Sequence, residues 1–89
     1  MVEYKILYSK LALTDAKKLS SANLSPKAKE LIEIIRKNPF ESLPPYEKLV
    51  GNLSGTYSRR INIQHRLVYE VKETDKVARI HRMWSYYGE

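Results

Sequence analysis

Asn52-Leu53-Ser54-Gly55-Thr56-Tyr57-Ser58-Arg59-Arg60-Ile61-Asn62-Ile63-Gln64-His65-Arg66-Leu67-Val68-Tyr69 is the stretch on which the fold of this chain turns. After the Ser54-Gly55 break, Thr56 to Asn62 reads as one strand and His65 to Lys72 as the next, joined by a short connection. A second break at Glu73-Thr74-Asp75 and a third strand from Lys76 to Trp84 extend the hairpin into an antiparallel meander. Two registers are open for the hairpin. With Asn62 to Gln64 as the connection, Ile61 faces His65 and Arg60 faces Arg66, so two guanidinium groups stand side by side on one face of the sheet. With a two-residue turn at Ile63-Gln64, Arg60 faces Leu67 instead and the arginines separate. Like charges directly opposite are destabilising, so the first register is easier to understand with an anion between the groups. A phosphate, with its bidentate geometry, is the natural candidate. The ordinary reading of the same pair is a solvated strand face.

Upstream, Val2 to Tyr8 alternates Val2, Tyr4, Ile6 and Tyr8 against Glu3, Lys5 and Leu7, the period of a strand. From Lys10 to Leu19 the residues Leu11, Ala12, Ala16 and Leu19 recur at near-helical spacing, with Ser9 as a cap and Lys17 and Lys18 near the carboxyl end. A second helix is predicted over 26–37, with Ser25 as N-cap, Pro26 at the first helical position and Ala28, Leu31, Ile32 and Ile35 as its apolar stripe. Asn38-Pro39 stops that helix, and Pro44-Pro45 keeps the following linker extended. One strand, two helices and a three-strand meander make an α+β domain over 1–89, with the helices on one face of a small twisted sheet and the other face partly open.

At 89 residues there is room for a single core. Apolar residues at 43% and charged residues at 29% place the chain in the globular range. Sixteen Lys and Arg against ten Asp and Glu give a net charge of +6, a field that attracts polyanions, so nucleic acid or an acidic protein is the favoured partner. There is no cysteine, and His65 and His81 are the only imidazoles, so neither a metal nor another cofactor is expected. No acidic cluster has metal-ligand spacing, which sets a metal-dependent nuclease last among the candidates. With no secretion signal and no apolar run of membrane-spanning length, a soluble cytoplasmic protein is expected.

Asn52-Leu53-Ser54-Gly55, Tyr57-Ser58-Arg59-Arg60-Ile61 and His65-Arg66-Leu67-Val68-Tyr69 form a long, ordered pattern that resembles the YoeB/Txe toxins of the RelE superfamily. The similarity extends through Asn38-Pro39-Phe40-Glu41, Glu47-Lys48-Leu49 and Arg82-Met83-Trp84; the helical first half matches only in pattern. The resemblance implies a RelE-like fold and the toxin half of a type II toxin-antitoxin system. The implied activity is ribosome-dependent, metal-independent cleavage of messenger RNA, an endoribonuclease action that inhibits translation. It further implies Glu47 as the base that deprotonates a ribose 2′-hydroxyl, Arg60 and Arg66 as holders of the scissile phosphate, and Lys48, Arg59, Arg82 and Trp84 as RNA-binding residues. Implied partners are messenger RNA on the ribosome and a cognate antitoxin of the Phd/YefM kind, whose acidic C-terminal segment would wrap the basic face. A homodimer and operator DNA, the latter only through the antitoxin complex, complete the set.

The tail departs from the family. It usually ends in a histidine, serving as general acid, followed by a tyrosine. Here Tyr86 stands where the histidine is expected, and Tyr87 matches the tyrosine. A phenol with a reference pKa of about 10 surrenders its proton reluctantly, so weakened catalysis is expected. His65 and His81 read as structural residues of the sheet. Trp84 and the tyrosines suit either base stacking or packing at the sheet edge. Two non-enzymatic readings remain beside the toxin: an inactive homologue that binds antitoxin or nucleic acid, and an unrelated basic RNA- or ribosome-binding module.

Overall fold

In a computed structural model, residues 3–42, 45–48, 55–62 and 65–84 are described. The elements in chain order are β1 (Lys5–Tyr8), α1 (Lys10–Ser21), α2 (Ser25–Lys37), β2 (Tyr46–Lys48), β3 (Thr56–Arg60), β4 (Arg66–Lys72) and β5 (Val77–Arg82). They build one five-stranded sheet in the order β1-β5-β4-β3-β2. The α+β class stands, and two details of the expectation are corrected. The linker after α2 contains a short strand, β2, which runs antiparallel to β3. The N-terminal strand lies parallel to β5, the last strand of the meander, rather than continuing an antiparallel pattern.

Helix α1 starts as its sequence requires. Ser9 is extended, and its hydroxyl accepts the Ala12 N–H at 3.0 Å while donating to the His81 carbonyl at 2.8 Å, so one side chain caps the helix and ties it to β5. The apolar stripe expected on α1 is only partly right. Leu11 is 56% exposed, and a buried acid, Asp15, occupies the inner face with Ala12 and Leu19. Asn23 in the left-handed region (φ 62°) ends the turn after α1. Ser25 is already helical, so the N-cap of α2 is Leu24, which makes no side-chain cap bond; Pro26 lies in the first turn, where its missing N–H costs nothing.

Ala28, Leu31, Ile32 and Ile35 of α2 are all buried, as their spacing demands. They join Ala12 and Leu19 of α1 and Leu67, Tyr69, Ala78 and Ile80 of the sheet in one core, closed by Ile61 and Met83. Strand alternation puts Tyr57, Arg59, Leu67, Tyr69 and Ile80 on this packed face and Ser58, Arg60, Arg66 and Glu70 on the opposite one. A register shift at Val68/Tyr69 leaves His81 without a direct partner in β4; its Nε2 lies 3.2 Å from Glu70 Oε1. Among the described residues, no helix is long and apolar enough to cross a membrane.

Candidate active site

Of the two hairpin registers, the structure has the one with Arg60 opposite Arg66. Its connection is closed by the Ile61 and Asn62 N–H groups, which donate to the His65 carbonyl at 2.9 and 3.2 Å, and by the Asn62 side chain, which accepts the His65 N–H at 2.7 Å. The two arginines therefore share the face that the helices leave uncovered. β2 adds the third group. Its register sets Glu47 directly opposite Ser58, and alternation turns the carboxylate toward the arginine side. Arg66 reaches across β3 to donate an Nη1 hydrogen bond to Glu47 Oε1, with Ser58 Oγ at 3.4 Å from the same nitrogen.

The pair is unequal in exposure: the Arg66 side chain is 12% exposed and that of Glu47 65%. Arg66 is thus a cation fixed in the sheet, and Glu47 a carboxylate held over it but open to solvent. Arg60 is exposed beside them. Together they line a cleft of about 620 Å³ with Lys27, Pro45, Ser58, Ile61 and Asn62. Three cations and one carboxylate around an open cleft suit a phosphodiester and a group able to accept a proton next to it.

The remaining sequence-derived residues divide. Lys48 follows Glu47 on β2 but faces the other side, opposite Tyr57. Arg59 does not belong to an RNA-binding surface: it is fully buried on the packed face, because strand alternation sends it opposite to Arg60. Arg82 is engaged at 2.8 Å by Asp15, which also accepts the Met83 N–H at 3.0 Å. Burial pushes the Asp15 carboxyl up, but the hydrogen bonds from Arg82 and Met83 and the charges of Arg82 and Lys18 outweigh it and hold it below its ordinary 3.8. Trp84 stacks on His65, ring centroids 4.0 Å apart, and its carbonyl lies 2.7 Å from His65 Nδ1, so both rings serve each other at the end of β5. Tyr86 and Tyr87 lie outside the described residues. Sequence reading missed Lys27 and Ser58. Ser58 was accessible through its alternation with Arg60, whereas nothing local to α2 marks Lys27 as a neighbour of the hairpin.

Residues 8–86 match the family described as the YoeB-like toxin of bacterial type II toxin-antitoxin systems. This chain belongs to the YoeB-like toxins. It is 44% identical over 61 residues to the YoeB toxin of Synechocystis, a match covering 68% of this chain and 64% of that protein, so the chain spans somewhat under two thirds of the curated relative it matches. Among solved structures, a YoeB/ParE toxin from Agrobacterium tumefaciens superposes with a TM-score of 0.84 at 27% identity, over 93% of this chain and 99% of that one. YoeB of Staphylococcus aureus, in a complex with YefM, gives 0.79 at 38% identity over 94% and 98%. The same S. aureus toxin has also been solved as a dimer. YoeB-like membership thus covers both the hairpin and the helical half that the sequence matched only in pattern.

Proposed function

We propose that this chain is a metal-independent endoribonuclease that cleaves messenger RNA on the ribosome and so inhibits translation. The observation that carries the proposal is the Glu47–Arg66 pair beside Arg60, a proton acceptor and two guanidinium groups converging on one cleft. A ribose 2′-hydroxyl placed against Glu47 loses its proton to the carboxylate as its oxygen attacks the adjoining phosphorus. The bond to the 5′-oxygen breaks, leaving a 2′,3′-cyclic phosphate on one fragment and a 5′-hydroxyl on the other. Arg60 and Arg66 meet the charge that builds on the phosphoryl oxygens, the effect that commonly contributes most to catalysis. DNA, with no 2′-hydroxyl, offers no nucleophile to this arrangement.

Protonation of the leaving oxygen falls to the tail, where Tyr86 stands in the position of the family histidine with Tyr87 beside it. A phenol is a weaker acid near neutrality, so the parent chain is an attenuated enzyme. Lys27 lines the same cleft and adds a third cation for the RNA backbone, whereas Lys48, turned to the other side of β2, and Trp84, stacked on His65, are not among the residues that line it. The net charge of +6 and the YefM complex of the S. aureus relative support a partnership with an acidic antitoxin of the YefM kind, and that relative's dimer supports a homodimer; a cytoplasmic location is what the proposed action on ribosomes requires.

The test is cleavage of a defined messenger on translating ribosomes, with 5′ ends mapped by primer extension. Glu47→Ala and Arg66→Ala should lower cutting by about a hundredfold or more, and Tyr86→His should raise it. Intact messenger with the parent and with Tyr86→His would overturn the enzymatic reading and leave an antitoxin-binding module.

A further inference from the structure

Glu47 sits on a strand of three residues at the edge of the sheet, with β3 as its one neighbour in the sheet. Three cross-strand pairs are a slight anchorage for a group that must be held within a fraction of an ångström of its target. On the far side of β2, however, lies an unusual construction. Arg59, opposite Tyr46 in the register, is buried to 0% exposure. Its Nη2 donates to the Pro39 carbonyl at 3.1 Å and the Glu41 carbonyl at 2.7 Å, and its Nε donates to the Tyr69 hydroxyl at 3.2 Å. The Tyr69 hydroxyl in turn donates to the Pro39 carbonyl at 2.8 Å. The guanidinium carbon lies 5.1 Å from the centre of the Tyr46 ring and 5.9 Å from that of Tyr69. Tyr46 also meets Tyr57 edge-on at 5.7 Å, with Phe40 edge-on to Tyr57 at 5.4 Å.

We infer that Arg59 is a positioning residue, a buried latch that fixes the entry to β2 and the Tyr46 ring and thereby holds Glu47 over Arg66. The inference builds on the reading of Glu47 as the base. The chain entering β2 is pinned at Pro39 and Glu41 by main-chain acceptors. The strand itself is pinned at Tyr46, one residue before Glu47, by the cation over its ring. A planar guanidinium is suited to this task because its donors diverge in one plane toward two carbonyls and a hydroxyl while its faces stay free for aromatic rings. An ammonium in the same place keeps the charge and loses the fork. Adjacent arginines of β3 thus serve one site from two sides: Arg60 faces the cleft, and Arg59 holds the floor beneath the carboxylate.

The experiment compares the full chain with Arg59→Lys, Arg59→Met and Tyr46→Leu, the last leaving Arg59 in place should its substitution prevent folding. Two quantities are read: kcat and KM for messenger cleavage on ribosomes, and amide hydrogen exchange across the sheet. The latch requires Arg59→Lys and Tyr46→Leu to lower kcat by about a hundredfold, the cost of an ångström-scale misplacement, with KM within about twofold. It also requires faster exchange at Tyr46–Lys48 while β4 and β5 keep their protection. Folded Arg59→Lys with parental kcat, or loss of protection spread evenly over the sheet, would overturn it. If neither the parent nor Tyr86→His cuts, the base assigned to Glu47 falls, and the exchange pattern alone decides whether Arg59 anchors β2; if only Tyr86→His cuts, the kinetic arm is read in that background.

Discussion

Arg59 and Arg60 are neighbours on β3, with identical side chains and opposite surroundings. Arg59 is enclosed by tyrosine rings and main-chain carbonyls on the packed face; Arg60 is exposed in the cleft across from Arg66. The two faces of the sheet put the same chemistry to different use. On the packed face a cation must have its hydrogen-bond partners supplied by the protein, so it becomes rigid and its removal leaves buried acceptors behind. On the open face water satisfies the cation, so removing it costs the fold little and a ligand much.

That contrast can be broken first at β3 itself. Arg59→Ala should cost about 4 kcal/mol, because the Glu41 carbonyl and the Tyr69 hydroxyl lose the Arg59 donor and the Pro39 carbonyl keeps only the Tyr69 hydroxyl, whereas Arg60→Ala should change stability by no more than about 0.5 kcal/mol. Urea midpoints for the two variants give the comparison directly, and equal midpoints would remove the distinction between the faces.

A second substitution moves the question to α1. Asp15→Ala leaves Arg82 and the Met83 N–H without their carboxylate and should cost about 2 kcal/mol. Because the Asp15 pKa is lowered in the fold, its contribution is present above the ordinary carboxylate value of 3.8 and disappears as pH falls through the folded value. Acid unfolding of the parent should therefore steepen below about pH 4, and Asp15→Asn should flatten that limb. An unchanged acid limb would mean that other carboxylates govern it.

At the alkaline end of the pH scale an effect is expected at Tyr69. Burial is the largest cause that pushes its hydroxyl up, and the neighbouring Arg59 offsets only part, leaving a pKa of about 12 against an ordinary 10.0. A raised acid is stabilising below the unfolded value, so this contribution is complete below about pH 10 and fades as pH rises toward 12. Stability measured between those limits should decline more steeply in the parent than in Tyr69→Phe. Parallel curves would show that the ring titrates as freely in the fold as outside it.

How much of this was legible before the fold was known depends on range. The α2 stripe, the Ser9 cap and both hairpin strands follow from patterns a few residues long, and they are where the sequence indicated. β2 was hidden because Pro44-Pro45 announces extended chain without alternation, and a three-residue edge strand carries too little pattern to detect. The burial of Arg59 contradicts composition, since arginine is seldom fully enclosed; only the fold brings Pro39, Glu41 and Tyr69 to it. Asp15 broke its helix stripe for the same reason, its partner lying on β5. Glu47 came from family resemblance, because one carboxylate near two prolines has no local mark of a base.

The pairing of β1 with β5 has a consequence for the order in which the molecule is made. Tyr8 lies beside Ile80, and the Ser9 hydroxyl meets the His81 carbonyl across 72 positions of sequence. While the chain is being synthesised, α1, α2 and the β3–β4 hairpin can begin to form as they emerge, but the first strand has nothing to pair with until the last one is free. Asp15 likewise waits for Arg82. A chain proposed to attack messages on ribosomes therefore cannot complete its sheet until β5 has emerged from the ribosome that is building it.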